Sequence, residues 1–171
     1  MRRVVTVVDY GRSNLLSVQR ALEHCGAEVR FAKSAAELDG ARFLVLPGVG
    51  AFADGMAALN AAHMTEPLRR LARDGVPLLG ICLGMQLLLD WGEAGGRTEG
   101  LGLLAGSVVP LPARTAAGET LKAPHIGWSA LELSGAALES IREALPRAGE
   151  VYFVHGYHAR PADARDTVAE I

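Results

Sequence analysis

A cysteine between two glycines is the feature of this sequence whose residue types and spacing best fit catalysis. Cys82 lies in the run Gly80-Ile81-Cys82-Leu83-Gly84, which follows the apolar residues 76–79 and precedes a helix-like run at 85–89. A strand that turns sharply into a helix needs glycine on both sides, because the neighbouring backbone approaches closely. Unpaired N–H groups at a helix N-terminus favour a thiolate. The run therefore predicts a nucleophile elbow.

The two cysteines receive different interpretations. A free cysteine is most often a small buried apolar residue. Cys25 fits that interpretation, since it lies near the end of a predicted amphipathic helix. Cys82 does not fit it, because its Gly-x-Cys-x-Gly context is specific.

A glycine-rich segment follows the third predicted strand. Residues 47–52 read Pro-Gly-Val-Gly-Ala-Phe. Taken alone, the segment is an ordinary Pro-Gly turn. Beside a cysteine elbow, its backbone N–H groups predict an oxyanion hole. Gln86 lies four residues after Cys82 and therefore on the same face of the predicted helix. It could equally well contact a polar substrate near the thiol or be a solvated helix residue.

Two further segments carry candidate residues. Val154-His155-Gly156-Tyr157-His158 ends a predicted strand, and its histidines suggest a Cys–His dyad or, alternatively, residues that line the site or pack against the sheet edge. Pro124-His125-Ile126-Gly127-Trp128 contains a large aromatic. Tryptophan is enriched in interfaces, although it is also a good core residue.

Composition restricts the class of protein. The 171 residues are 50% hydrophobic and 21% charged, which predicts one globular domain over 1–171. The net charge of −2 gives no electrostatic case for nucleic acid or an anionic membrane. The sequence has no zinc-like Cys/His spacing, no apolar run of membrane-spanning length and no signal-peptide pattern at its start. We therefore expect a cytoplasmic protein without a bound metal.

Short apolar runs alternate with amphipathic ones along the chain. We predict strands at 4–8, 28–32, 43–46 and 76–81, and later at 101–111, 128–133 and 151–154. We predict a first helix that is capped by Ser13 or Asn14, a second over 56–74 with a break at 63–67, and a third over 136–144. Residues 95–100 are predicted to form a loop. This order predicts an α/β three-layer sandwich with a mainly parallel central sheet, whose ligands bind at the carboxyl ends of the strands.

These motifs, in this order, resemble the class I (triad-type) glutamine amidotransferases, and most closely the glutaminase subunits of imidazole glycerol phosphate synthases. The resemblance spans nearly the whole chain. The matching segments are Asp9-Tyr10-Gly11 with Asn14-Leu15, residues 46–52, 80–86, 99–102 and 124–128, and residues 152–155 with Tyr157.

The resemblance implies hydrolysis of glutamine, with Cys82 attacking the side-chain amide carbon. The oxyanion would form near the Val49–Gly50 peptide and the N–H of Leu83. The residues that would hold the glutamine are Gly48, Gln86, His155, Gly156 and Tyr157. No metal or organic cofactor is implied.

The resemblance also implies a partner, a (β/α)8-barrel cyclase that forms a heterodimer with this subunit and receives its ammonia. The residues implied at that interface are Asn14, Pro124, His125, Ile126, Gly127 and Trp128. Neither nucleic acid nor a membrane is an expected partner.

The family pattern continues with a His-Pro-Glu segment that completes the catalytic triad, and this sequence has no such segment. We therefore expect that the fold is truncated here, without its C-terminal strands and helix, and that the native chain continues past Ile171. A thiol without that base loses the group that removes its proton and later protonates the leaving amine. The alternatives are a non-catalytic subunit that binds a partner, and another cysteine-elbow protein of similar fold.

Overall fold

The computed structural model describes residues 3–114, 120–133 and 150–171. Its backbone contacts divide the chain into two compact units, Met1–Leu104 and Ala105–Ile171. The predicted helix at 136–144 lies outside the described residues.

The first unit is built on a parallel sheet. Its strands are β1 (Val4–Val8), β2 (Glu28–Ala32), β3 (Leu44–Gly48) and β4 (Leu78–Cys82), in the spatial order β2-β1-β3-β4. All three pairings are parallel, as the sequence predicts. All five residues of β3 are buried, which agrees with the continuous apolar run expected of a central strand.

Helices connect these strands. Helix α1 (Leu15–His24) begins after Asn14, whose Oδ1 accepts a hydrogen bond from the Ser17 N–H at 3.4 Å. This confirms the predicted cap. A short 3-10 helix, Ala35–Leu38, precedes β3, and helices α2 (Phe52–Ala61) and α3 (Thr65–Arg73) lie between β3 and β4. The break between α2 and α3 was predicted, but α2 begins four residues earlier than the predicted 56, since Phe52 is fully buried.

The strand before the glycine-rich segment is longer than predicted. We expected Pro47 to end it at 46, yet β3 continues to Gly48. Only Leu44 and Val45 pair with β1, whereas Pro47 pairs in register with Ile81 of β4. Proline is tolerated there because its missing N–H faces away from the one strand with which it pairs. Strand β4 also starts and ends later than the predicted 76–81.

The helix after Cys82 is shorter than predicted. Helix α4 (Leu83–Gln86) has one turn, and strand β5 (Leu89–Gly92) follows where the helix was expected to continue. The carbonyls of residues 87–89 accept hydrogen bonds from the N–H groups of residues 101–104 and so have no helical partner. The predicted loop at 95–100 likewise contains strand β6 (Thr98–Glu99), which pairs with β5.

The second unit consists of short antiparallel pairs. Strand β8 (His125–Ala130) pairs with β10 (Glu150–His155), and β7 (Leu104–Pro110) pairs with β11 (Tyr157–Pro161). Strand β9 (Glu132–Leu133) pairs with β12 (Ala169–Glu170). The predicted strands at 101–111, 128–133 and 151–154 are thus present with shifted bounds. No helix of the described chain is long and apolar enough to cross a membrane.

The core of the first unit gives a stability prediction. The Phe52 side chain is fully buried and packs beside Gly92 and Gly100, whereas Leu16 on α1 is 56% exposed. Phe52→Ala leaves a cavity, so we expect it to lower the free energy of unfolding by about 3–5 kcal/mol. The matched control Leu16→Ala should change that energy by less than about 0.5 kcal/mol. Urea denaturation measures both, and equal effects would contradict this assignment of the core.

Candidate active site

The turn at Cys82 has the geometry of the predicted elbow. Cys82 ends β4 and precedes α4, with φ 55° and ψ −116°. This left-handed backbone is one that residues other than glycine rarely adopt. The thiol side chain is exposed. The sheet thus presents a strained, accessible cysteine at the carboxyl end of a parallel strand.

The glycines on either side of Cys82 are required by space. A Cβ on Gly84 would overlap the carbonyl oxygen of Leu46, and a Cβ on Gly80 would lie 2.6 Å from the backbone nitrogen of Met85. No side chain can be added at either position without moving the backbone. Glycine is therefore required at both positions because neighbouring backbone approaches them closely, as the sequence predicts.

The glycine-rich segment lies beside this turn. Gly48 pairs with Cys82 in the β3–β4 register, so the Val49–Gly50 peptide follows at the same end of the sheet. The Val49 N–H donates to the carbonyl of Arg12 at 2.8 Å, and Gly50 has φ 104°. The N–H of the Val49–Gly50 peptide belongs to Gly50. It is this N–H, and not that of Val49, that is the oxyanion donor to consider.

The remaining predicted residues of the first unit are close to the thiol along the chain. Leu83 is buried directly after Cys82, and Gln86 is half-buried at the end of the single turn of α4. A four-residue helix has a small dipole, so the thiolate argument from a long helix N-terminus is weaker than the sequence suggested.

Tyr10 is a residue of this region to which sequence reasoning gave no role. It is 6% exposed, and its hydroxyl has no hydrogen-bond partner within the part of the chain that the structure describes. A Cβ on Gly48 would overlap this hydroxyl. Burial raises the pKa of Tyr10, the charge of Cys82 raises it further, and Arg12 lowers it. The sequence marked Tyr10 only as part of Asp9-Tyr10-Gly11, one of the segments that resemble the family.

The histidines of the second unit contact one another. The His155 Nδ1 lies 3.0 Å from the carbonyl oxygen of Tyr157 and therefore carries a proton, while the His125 Nε2 lies 3.0 Å from the Ser129 hydroxyl. The two rings meet edge to face, with centroids 5.5 Å apart. Burial, together with the charges of Arg160 and His155, lowers the pKa of His158.

The Pro124–Trp128 segment forms an exposed apolar surface. Trp128 is 65% exposed and packs against Tyr152, which lies directly opposite it on β10, with ring centroids 5.5 Å apart. Ile126 and Val154 form the next pair on the same face, and both are more than half exposed. We call these four side chains the β8–β10 face. The interpretation of Trp128 as a core residue is wrong. Asn14, also predicted at an interface, caps α1.

No cluster of three or more His, Cys, Asp or Glu side chains in the described residues is arranged to hold a metal ion.

The chain matches a known protein family over nearly its whole length. The family model for glutamine amidotransferase class-I matches residues 6–170.

Two curated relatives match most of this chain. Imidazole glycerol phosphate synthase subunit HisH 1 of Legionella pneumophila (strain Lens) is 43% identical over 97% of this chain and 79% of its own length. Subunit HisH of the same synthase from Geobacillus kaustophilus (strain HTA426) is 45% identical over 94% of this chain and 74% of its own length.

Solved structures are similar in fold. A crystal structure of glutamine amidotransferase matches with a TM-score of 0.71 at 19% identity, over 98% of this chain and 79% of that one. The structure of PurLQS from Thermotoga maritima matches with a TM-score of 0.61 at 19% identity, over 96% of this chain and 72% of that one. At these identities the likeness shows the α/β fold with its mainly parallel sheet.

The backbone of Cys82 gives a test of strain. Glycine adopts φ 55° without steric cost, so Cys82→Gly should unfold with a free energy about 1–2 kcal/mol higher than Cys82→Ala. Cys25 has φ −78° at the end of α1, and there Cys25→Gly should be no more stable than Cys25→Ala. Chemical denaturation of the four variants makes the comparison. If the glycine variant is more stable than the alanine variant at both positions, or at neither, the backbone strain at Cys82 is refuted.

Proposed function

Because the chain belongs to the class-I glutamine amidotransferase family, we propose that it is the glutaminase subunit of an imidazole glycerol phosphate synthase. In this role it hydrolyses glutamine to glutamate and ammonia, and the ammonia passes to a cyclase subunit in histidine biosynthesis. The observation that carries the proposal is the 43% identity to a HisH subunit over 97% of the chain, a span that includes the Cys82 elbow.

The proposed chemistry begins at Cys82. The thiol loses its proton and its sulfur attacks the side-chain amide carbon of glutamine. The carbon–nitrogen bond breaks, the leaving nitrogen takes up the proton that the thiol lost, and ammonia departs to leave a thioester. Water then cleaves the thioester to glutamate and restores the thiol. The exposed thiol at a strained strand end supports this role. We assign proton transfer to neither His155 nor His158, because both align with the glutamine-binding strand end of the family pattern.

The tetrahedral intermediate carries negative charge that needs donors. We propose the N–H of the Val49–Gly50 peptide and the N–H of Leu83 as the oxyanion hole. The β3–β4 register, which pairs Gly48 with Cys82, supports this assignment. Removing one such donor typically costs about 3–4 kcal/mol of transition-state stabilisation.

The residues that bind glutamine are assigned on the family resemblance. We propose contacts from Gly48, Gln86, His155, Gly156 and Tyr157. Gln86 is half-buried one helical turn after Cys82, which supports its place in this set. We also propose that 1–171 acts as a single amidotransferase domain, since the family model runs through both units.

The proposed partner is a (β/α)8-barrel cyclase bound as a heterodimer. The relatives are named as subunits, and the β8–β10 face is a contiguous apolar surface of a kind that marks protein interfaces. We propose that this face contacts the cyclase together with Pro124, His125 and Gly127 of the same segment. On the family resemblance, Asn14 of the first unit is a further proposed contact. A cytoplasmic location stays a prediction from the sequence.

The nucleophile gives the first functional test. In the intact protein bound to the cyclase, Cys82→Ala should abolish ammonia release from glutamine, because no other group forms the thioester. Cys25→Ala, the matched control, should keep full activity. Ammonia is measured with a coupled dehydrogenase assay, and Cys82 labelling by a glutamine-like chloroketone is followed by mass spectrometry with and without glutamine.

Two outcomes would overturn the proposed function. One is glutaminase activity that survives Cys82→Ala. The other is labelling of Cys82 that glutamine does not slow, combined with no ammonia release from the complex.

The interface gives a separate test. Trp128→Ala removes the largest exposed side chain of the β8–β10 face, and we expect it to raise the Kd for the cyclase about thirtyfold or more. Leu133→Ala, at a residue 39% exposed on β9, should change the Kd less than about twofold. Calorimetric titration measures both. Equal effects of the two variants would place the interface elsewhere.

A further inference from the structure

A buried hydroxyl without a partner lies next to the elbow. The Tyr10 side chain is 6% exposed, and its hydroxyl has no hydrogen-bond partner within the described residues. A buried polar group in this state costs stability and calls for an explanation in terms of function or a bound group. Tyr10 follows β1, so its backbone leaves the sheet at the same edge as β3 and β4.

The position of the hydroxyl is defined by Gly48. A Cβ on Gly48 would overlap the Tyr10 hydroxyl, and it would stand 2.9 Å from both the Gly84 nitrogen and the Leu83 Cβ. The phenol oxygen therefore lies within a few ångströms of the backbone that carries Cys82 into α4.

The hydroxyl is a donor at every physiological pH. Burial raises the pKa of Tyr10 and the charge of Cys82 raises it further, against a smaller lowering by Arg12. Two charged side chains close to Tyr10 in the sequence have partners of their own. Arg12 lies 3.8 Å from Asp54, and the Asp9 carboxylate accepts the Gly11 N–H at 3.3 Å. The neutral phenol of Tyr10 is thus the buried O–H that negative charge at the elbow can use.

We propose that the Tyr10 hydroxyl stabilises negative charge at the Cys82 elbow and so favours the thiolate. Tyr10 is a positioning residue in this account, because it acts through Cys82 and not on glutamine. This role of Tyr10 rests on the proposed glutaminase function, in which the Cys82 thiolate attacks glutamine. Its test does not depend on glutamine, so the two can fail separately.

The test is the pH profile of Cys82 alkylation in the full chain. Cys25→Ala provides the background, so that Cys82 is the one thiol that reacts with iodoacetamide. In Tyr10→Phe, the midpoint of the profile should rise by about one pH unit, and alkylation below the midpoint should slow about tenfold. The control Tyr152→Phe removes a hydroxyl from the exposed β8–β10 face and should leave the midpoint in place.

A merely structural role predicts different results. If the phenol only fills space, phenylalanine fills it equally well, the midpoint stays within about 0.2 units, and the proposal is overturned. A fluorinated tyrosine placed at position 10 keeps the shape and donates more strongly, so it should lower the midpoint. A midpoint that rises or does not move in that variant would also overturn the proposal, whether or not Tyr10→Phe folds.

Discussion

The site depends on a contact between backbones that tolerates no side chain. At the carboxyl end of the parallel sheet, Gly84 touches the carbonyl of Leu46, and Gly48 touches Leu83 and Gly84. These contacts hold the end of β3 against the turn that follows β4. They also fix the register that pairs Gly48 with Cys82, and so they place the Val49–Gly50 peptide beside the thiol. The geometry of the site is therefore a property of the main chain, and the side chains supply only the nucleophile and the groups around it.

The strain at Cys82 is maintained by the packing below it. A residue other than glycine at φ 55° costs about 1–3 kcal/mol and persists where the surrounding structure over-determines the backbone. Here Leu44, Val45 and Leu46 of β3 are almost completely buried, and Leu83 is 1% exposed directly after the cysteine. The apolar core fixes both ends of the strained turn. The packing that stabilises the first unit therefore also holds the Cys82 thiol in its exposed position.

The sequence predicts this unit well where one local signal dominates. The runs at β1 and β4 are short and apolar, apolar and charged residues alternate along most of β2, and glycine beside Cys82 has one geometric explanation. Prediction failed where distant residues decide. Helix α4 ends at Gln86 because residues 101–104 take the carbonyls that would continue it, and β3 passes through Pro47 because it lacks a β1 partner there. Tyr10 was missed because neither composition nor spacing shows that a hydroxyl is buried without a partner.

The second unit shows why a tryptophan could not be assigned from sequence. Apolar and other residues alternate along β8, whereas β10 contains a continuous apolar run at 151–154. Neither pattern says which face of the pair is covered. In the structure, the histidines and Phe153 share one face, and Ile126, Trp128, Tyr152 and Val154 share the other. The side chains of this second set are each more than half exposed. Exposed apolar area of this size is unfavourable in water unless another surface covers it. The sequence alone therefore could not decide whether Trp128 is a core residue or an exposed one.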